Sequence, residues 1–291
     1  MNSFDTVTTN PNHVIKSFKD DKKVKLTLSG KKLNIKLHEV SIVNDDAKLL
    51  FKNESGIYGK EIPDINTYQG KVIDNKNSDV TLTVSNNVMV GSVDVENETY
   101  IIDQTNKEKN GKVIYVSYKS SDIKESNKST SISMDDIDGE TTSLQTTVSS
   151  SDTLTTSSTT YTIDFLPAYG PDFNNLFSEP ETEISSMVNE INDDVYSTEG
   201  VTLEITSYKQ FSDIPQGTTS EILHFFEDEI PEYRDITNSD LAFLFYGKNF
   251  EDDTIGRADS YNGDDSQAHG VAQMIANHLV VIQLTIKIGV F

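Results

Sequence analysis

Apolar and polar residues alternate with a period of two through much of the first 120 residues. In KVKLTL and KLNIKL, every second position around the turn at Ser29 and Gly30 is apolar: Val24, Leu26, Leu28, Leu33, Ile35 and Leu37. SDVTLTV, ETYIIDQ and KVIYVSY repeat the pattern, which is typical of half-buried strands joined by tight turns. No helical period of useful length occurs in this part, so the sequence predicts an antiparallel, all-β domain at residues 1–120.

From residue 161 the pattern changes to strands that alternate with helices. YTIDFLP, VTLEITSY and DLAFLFYG have the apolar patterns of strands, and the third is apolar on both faces, which predicts a central position in its sheet. Two helices are predicted between them, each with a capping box, Ser178 with Glu181 and Thr218 with Glu221. This order predicts an α/β domain at residues 161–291 with a mixed, mostly parallel sheet, and an α+β fold overall.

Between the two modules, residues 121–160 have no apolar period, and fifteen of the twenty residues from 141 to 160 are Ser or Thr. Such a segment buries too little apolar area to offset the entropy of ordering it, so it is predicted to be a linker. A passive spacer and a segment that is cut during processing both fit this composition, which favours the spacer.

Charge is distributed unevenly between the two modules. The net charge is −23, but residues 1–120 hold 17 basic and 16 acidic side chains, whereas residues 121–291 hold 7 and 31. Nucleic acid is therefore not expected as a partner, because phosphate binding depends on clustered Lys and Arg. No apolar run approaches the roughly 20 residues of a membrane helix, so no membrane span is predicted.

The chain has no cysteine, so any catalysis must use carboxylates, hydroxyls or histidines. His269 and His278 lie near Asp264 and Asp265, an arrangement that could hold a metal ion. A solvated loop histidine at 269 and a helix-surface histidine at 278 are favoured over a metal site on base rates. His224 falls within a predicted helix and is expected to be a partly buried structural residue.

Two stretches resemble a known family. DLAFLFYGKNFEDDTIGRADSYNGDDSQAHGVAQM, with its apolar strand, acidic turn, Thr-Ile-Gly-x-Ala and Gly-Val-Ala-Gln, is similar to the catalytic domain of reprolysin (adamalysin)-type metzincin zinc peptidases. TYQGKVIDNKNSDVTLTVSNNVMVGSV resembles their propeptide, through Tyr68-x-Gly70-x-Val72, Ser78-x-Val80-x-Leu82 and Gly91. The resemblance implies an N-terminal propeptide-like domain followed by a metzincin-like α/β domain.

The resemblance also implies a substrate site. In the family, the segment similar to Gly270, Val271, Ala272 and Gln273 is the edge strand along which an extended substrate lies. A peptide or protein substrate is therefore expected of the intact family member.

Zinc is the cofactor expected of the intact family member, but none is predicted for this chain. The family binds zinc through a helix bearing His-Glu-x-x-His, and this motif is absent. Aligned without gaps, IKIGVF falls at its position, with Ile286, Lys287 and Val290 at the ligand, base and ligand positions. Ile and Val have no lone pair to donate, and Lys carries the wrong charge, so no catalytic and no metal-binding residue is assigned.

Two hypotheses follow. The first is the precursor of a reprolysin-like zinc endopeptidase that is cut short before its active-site helix and is inactive as given. The alternative is a non-enzymatic module that binds peptides or proteins. The family resemblance favours an extracellular or cell-surface location, although the first residues do not have the pattern of a signal peptide. The oligomeric state is not predicted.

Overall fold

The computed structural model describes residues 5–7, 11–123, 131–135, 161–198, 200–259 and 268–274. The elements of its first part are β1 (Asp5–Val7), α1 (Pro11–Asp21), β2 (Lys23–Leu28), β3 (Lys31–Val40), β4 (Leu49–Asn53), β5 (Gly56–Lys60), β6 (Asn66–Val72), β7 (Asp79–Val84), β8 (Met89–Val95), β9 (Glu98–Lys109) and β10 (Lys112–Lys119). The later elements are β11 (Ser131–Asp135), β12 (Tyr161–Tyr169), α2 (Pro171–Asn174), α3 (Pro180–Ile191), β13 (Val201–Ile205), β14 (Tyr208–Gln210), α4 (Thr219–Glu229), α5 (Pro231–Thr237), β15 (Leu241–Tyr246), β16 (Thr254–Asp259) and β17 (His269–Gln273). None of the described helices combines the length and the apolar character needed to cross a membrane.

Eight strands form the first sheet, here called sheet A, in the order β1-β10-β9-β8-β7-β6-β3-β2. Every neighbouring pair is antiparallel. The predicted hairpin around Ser29 and Gly30 is confirmed, and its alternating leucines, valine and isoleucine are buried in one core. The period-two pattern was sufficient because one face of each strand packs inward.

The expectation that residues 1–120 contain no helix is wrong. Helix α1 begins at Pro11, a residue that favours the first helical position, and buries Val14 and Phe18 against sheet A. The Phe18 ring lies 4.4 Å from the ring of Tyr68. Three apolar residues on one face of an 11-residue helix give a periodic signal too short to separate from the neighbouring strands.

The second sheet, sheet B, is mixed, as predicted. Its order is β11-β16-β17-β15-β12-β14-β4-β5, and β13 also pairs with β12. Most of its neighbours are parallel, whereas the pairs β16–β17 and β4–β5 are antiparallel. The predicted central position of DLAFLFYG is confirmed, because β15 is buried along its whole length between β12 and β17.

Two segments join sheet B from outside residues 161–291. The hairpin β4–β5 belongs to the first predicted domain, yet β4 pairs with β14 through Leu49 and Leu50. Backbone bonds from Asn44 N to Ile205 O and from Tyr208 N to Lys48 O, both 2.9 Å, extend this contact. Strand β11 lies within the predicted linker 121–160 and pairs with β16. The boundaries at 120 and 160 stay predictions, and they do not coincide with the boundary between the sheets.

Helix α3 lies between the two sheets. Its apolar side, including Ile184 and Val188, packs in the core of sheet B, and its other side contacts strands β6, β7 and β8 of sheet A.

The predicted capping box at Ser178 is wrong: the N-cap is Glu179, without a side-chain cap, and Pro180 begins the helix. The box of Thr218 with Glu221 at the start of α4 is confirmed.

Candidate functional site

The candidate site is the part of sheet B where its strand direction reverses. Strand β17 runs parallel to β15, with Val271 opposite Leu244. Strand β16 then runs antiparallel to β17, with Gly256 opposite Ala272. An antiparallel strand placed outside a parallel sheet offers a straight edge along which an extended chain can add.

The expectation that Gly270, Val271, Ala272 and Gln273 form an edge strand is wrong, because β17 is hydrogen-bonded to a strand on each side. The first three of these residues are buried. A Cβ atom on Gly270 would lie 2.7 Å from the Phe243 ring, so glycine permits the close approach of β15. Their assignment to substrate binding stays a prediction.

Gln273 has a contact within the chain. Its Oε1 accepts a 3.2 Å hydrogen bond from the backbone N–H of Phe250, in the segment that follows β15. The next residue, Met274, donates its backbone N–H to Tyr246 O at 2.6 Å. The end of β17 and the segment after β15 are thereby held together.

The outer strand of this group is β16, which was not assigned from sequence. The side of β16 that faces away from β17 pairs with β11 in parallel orientation, with Ile132 opposite Gly256, Ser133 opposite Arg257 and Asp135 opposite Asp259. A sequence signal existed, because β16 contains the Thr-Ile-Gly-x-Ala portion of the family-like stretch. Without β11, β16 would be the open edge of sheet B.

His269 is buried in β17, and so the interpretation of a solvated loop histidine is wrong. Its Nε2 lies 3.2 Å from Nη1 of Arg234, a guanidinium that can only donate, so Nε2 accepts through its lone pair. Arg234 also donates Nη2 to Asp240 O at 2.6 Å and Nε to Ser239 O at 3.2 Å. His269 is therefore part of a structural contact between β17 and the end of α5. His224 is exposed on α4 rather than partly buried.

Within the described residues, no three His, Asp or Glu side chains are grouped so that they could hold a metal ion. His278, Asp264, Asp265 and the aligned positions Ile286, Lys287 and Val290 lie outside the described residues. The side chains at the three aligned positions do not have the donor atoms that zinc requires. The residues that the structure describes therefore do not fit a zinc site, and no hydrolytic step is derived through one.

Sheet A is attached to α3 by a polar contact at the start of the helix. Gln104, buried on β9, accepts a 2.9 Å hydrogen bond from Glu179 N and donates from Nε2 to Glu179 O at 3.0 Å. The Glu179 carboxylate accepts from Ser85 Oγ at 2.5 Å and from Asn87 Nδ2 at 2.8 Å, both from the turn between β7 and β8. The backbone N–H of Glu179 is thus satisfied by sheet A, and its carboxylate has partners both on sheet A and on Thr182 of the helix.

Comparison with known proteins places the fold but not a family. No family model and no curated protein sequence match the chain. The crystal structure of metalloproteinase-II from Bacteroides fragilis matches with a TM-score of 0.52 at 9% identity, covering 88% of this chain and 76% of that chain. A structure of a chaperone–substrate complex matches with a TM-score of 0.34 at 20% identity, covering 40% of this chain and 23% of that chain, which supports no inference. The chain therefore shares its fold with a metalloproteinase.

Proposed function

We propose that this chain is the precursor form of a metzincin-type zinc endopeptidase of the reprolysin kind, and that its 291 residues alone are inactive. The observation that carries the proposal is the fold shared with metalloproteinase-II over 88% of the chain, which includes residues of both sheets. The residue patterns Tyr68-x-Gly70 and Thr-Ile-Gly-x-Ala support the assignment to the reprolysin kind.

In this proposal sheet A with α1 is the propeptide-like domain, and sheet B carries the peptide-binding edge. An extended substrate would add to the outer side of β16, since free backbone groups of an edge strand pair readily with another chain. Strand β11 occupies that side. The segment Ser131–Asp135 is thus proposed to exclude substrate until it is displaced, which gives the 121–160 segment a role beyond that of a spacer.

In this proposal four residues of β17 influence substrate binding indirectly, through β16: Gly270, Val271, Ala272 and Gln273. Gly270 lets β15 and β17 approach closely, and Gln273 holds the segment after β15. Both effects keep the neighbouring β16 straight and in register. The substrate class is a peptide or protein in extended conformation, and an extracellular location is proposed from the resemblance alone.

Zinc would supply a metal-bound water to attack the peptide bond, but Ile286, Lys287 and Val290 do not provide ligands or a base. The purified chain is therefore expected to hold no stoichiometric zinc by mass spectrometry and to leave a quenched peptide intact. Replacing the three residues together by His, Glu and His should restore neither property, because a third protein ligand is still missing. Adding a family-like tail with Gly-x-x-His to the triple variant should restore both. Chelator-sensitive hydrolysis by the unmodified chain would overturn the proposed inactivity.

Peptide binding at β16 can be tested separately. Proline has no N–H, and adjacent N–H groups on a strand point to opposite sides, so Ile132→Pro with Ser133→Pro must disturb the pairing with β16. This variant should bind a fluorescent extended peptide more tightly than the unmodified chain. Prolines at Ser149 and Ser150, outside β11, are the matched control. Equal peptide affinity in all three proteins would contradict the proposed site. Tight peptide binding, together with no hydrolysis by the triple variant that carries the added tail, would favour the non-enzymatic alternative.

A further inference from the structure

The side of α3 that faces sheet A carries carboxyl groups that are buried by the contact. Glu183 is 3% exposed, and its Oε2 accepts a 3.0 Å hydrogen bond from Gln104 Nε2. Asp103, the neighbour of Gln104 on β9, accepts from the Tyr118 hydroxyl at 3.3 Å. Asp103 and Glu183 lie close enough for each negative charge to oppose ionisation of the other.

A second carboxyl group lies two turns further along α3. Glu190 accepts a 3.3 Å hydrogen bond from Ser92 Oγ on β8. Its charged neighbours are acidic as well: Asp94 on β8, and Asp193 and Asp194 in the π-helix Asn192–Tyr196 that continues α3.

One lysine faces this end of the contact. Lys71 on β6 bonds to Asp79 on β7 at 3.3 Å and also acts on Asp193. The charged groups that act on Asp103, Glu183 and Glu190 are, among the described residues, carboxyls and not cations. These three groups are called the carboxyl cluster below. Buried carboxylates without a cation are costly unless they bind a proton.

Burial has a clear electrostatic consequence for the cluster. It raises the pKa of Glu190 to about 7 and that of Asp103 to about 6. Burial, together with the charge of Asp103, raises the pKa of Glu183 well above its ordinary value. When sheet A and α3 separate, the three groups become accessible to water and their pKa values return towards those of exposed carboxyls.

We infer that the contact between sheet A and α3 is acid-stabilised: it is tight at about pH 5 and opens increasingly as the pH rises towards 8, releasing sheet A from the helix. The carboxyl cluster makes the stability of the contact depend on pH, because the closed contact must either hold protons or bury charges that repel each other. This inference stands on the position of the cluster and is independent of whether sheet B belongs to an active peptidase.

Proton linkage determines the direction in which pH changes the stability of the contact. The closed state has the higher pKa values, so it binds more protons than the open state at any pH between the ordinary and the raised values. Its stabilisation is complete below the ordinary carboxyl pKa and is lost as the pH rises through about 6 and about 7, the values for Asp103 and Glu190. Raising the pH therefore favours opening.

Hydrogen exchange of the full chain, followed by mass spectrometry and corrected for intrinsic exchange rates, measures opening directly. Between pH 5 and pH 8, protection of amides in α3 and in β7 and β8 should fall about tenfold or more, since one unit of pKa shift corresponds to a factor of ten. Amides of β15, in the centre of sheet B, should keep their protection over the same range.

The variant Glu183→Gln with Glu190→Gln removes the two carboxyls that α3 contributes to the carboxyl cluster and nearly preserves the side-chain shape, so it should abolish most of the pH dependence. Glu251→Gln, an exposed site before β16, is the matched control and should keep it. Should the double variant fail to fold, Asp103→Asn tests the same cluster from the side of sheet A and should flatten the profile in part. A pH dependence that survives in these variants, or one that is equal in β15 and in α3, would overturn the inference.

Discussion

Replacing Gln104 by alanine should weaken the attachment of sheet A to α3 more than any exposed glutamine substitution. The side chain is buried and makes three hydrogen bonds across the contact: one from Glu179 N, one to Glu179 O and one to the Glu183 carboxyl. Alanine cannot replace any of them. The Glu179 carbonyl retains its helical bond from Glu183 N at 3.2 Å, but the other two groups lose these partners.

The size of the expected destabilisation follows from two groups, the Glu179 N–H and the Glu183 carboxyl. Leaving a buried polar group without its partner costs roughly 1–3 kcal/mol, and Glu179 is partly exposed, which places its share near the lower limit. The expected loss is about 2–4 kcal/mol in the free energy of unfolding, or roughly a 30- to 1000-fold increase in the opening constant. Gln104→Glu should cost at least as much, because it removes the donor and adds a negative charge beside Glu183.

Urea unfolding followed by circular dichroism, together with hydrogen exchange in α3, would measure this loss at pH 7. Gln216→Ala is the matched control: this exposed side chain donates to Asn249 O at 2.9 Å, in the segment between β15 and β16, and its loss should cost no more than about 1 kcal/mol. A Gln104→Ala protein whose unfolding free energy lies within that range would refute the view that this side chain anchors the contact.

Three further predictions concern other parts of the chain. Gly91→Ala should destabilise sheet A, since a Cβ there would lie 2.1 Å from Thr81 O, whereas Gly111→Ala, with open space around it, should reveal the smaller cost of positive φ alone in the same thermal melts. Burial lowers the pKa of Lys209 to about 8. The unfolded chain therefore binds more protons than the folded chain above that pH, and the stability of the fold should rise between about pH 8 and 10. Lys209→Met should remove this rise in thermal melts recorded across that range. Limited proteolysis followed by mass spectrometry should place the first cuts within residues 120–160, giving fragments of roughly 13 and 15 kDa, and first cuts within residues 24–118 would contradict the linker assignment.

Local patterns were enough to predict most elements. Hairpins of sheet A follow from alternation around turn residues, and β15 follows from an apolar run on both faces. The α4 cap depends only on Thr218 and Glu221, three residues apart. Each of these features is decided by residues that are close together in the chain, where periodicity and turn chemistry act directly.

The candidate site could be predicted only in part. The family-like stretch contains both β16 and β17, and the resemblance implied that β17 is an edge strand, whereas β17 lies between β15 and β16, and β16 in turn pairs with β11. Which of two neighbouring strands is outermost depends on pairing with β15 and with β11, segments far apart in sequence. The burial of His269 likewise escapes sequence reasoning, because the residue contacts Arg234 of another element, 35 positions away in the chain.

The sequence by itself determined many of the strands, the helices α3 and α4 and the contrast between a neutral and an acidic half, because these depend on local pattern and composition. Tertiary structure decided that the β4–β5 hairpin completes sheet B, that Gln104 satisfies the start of α3, that Glu183 is buried beside Asp103, and that Glu190 contacts Ser92 of β8. On the helix alone, the polar side of α3 is an ordinary solvated face. It becomes an acid-stabilised contact only because sheet A removes it from water, and no local sequence pattern shows which surface will cover it.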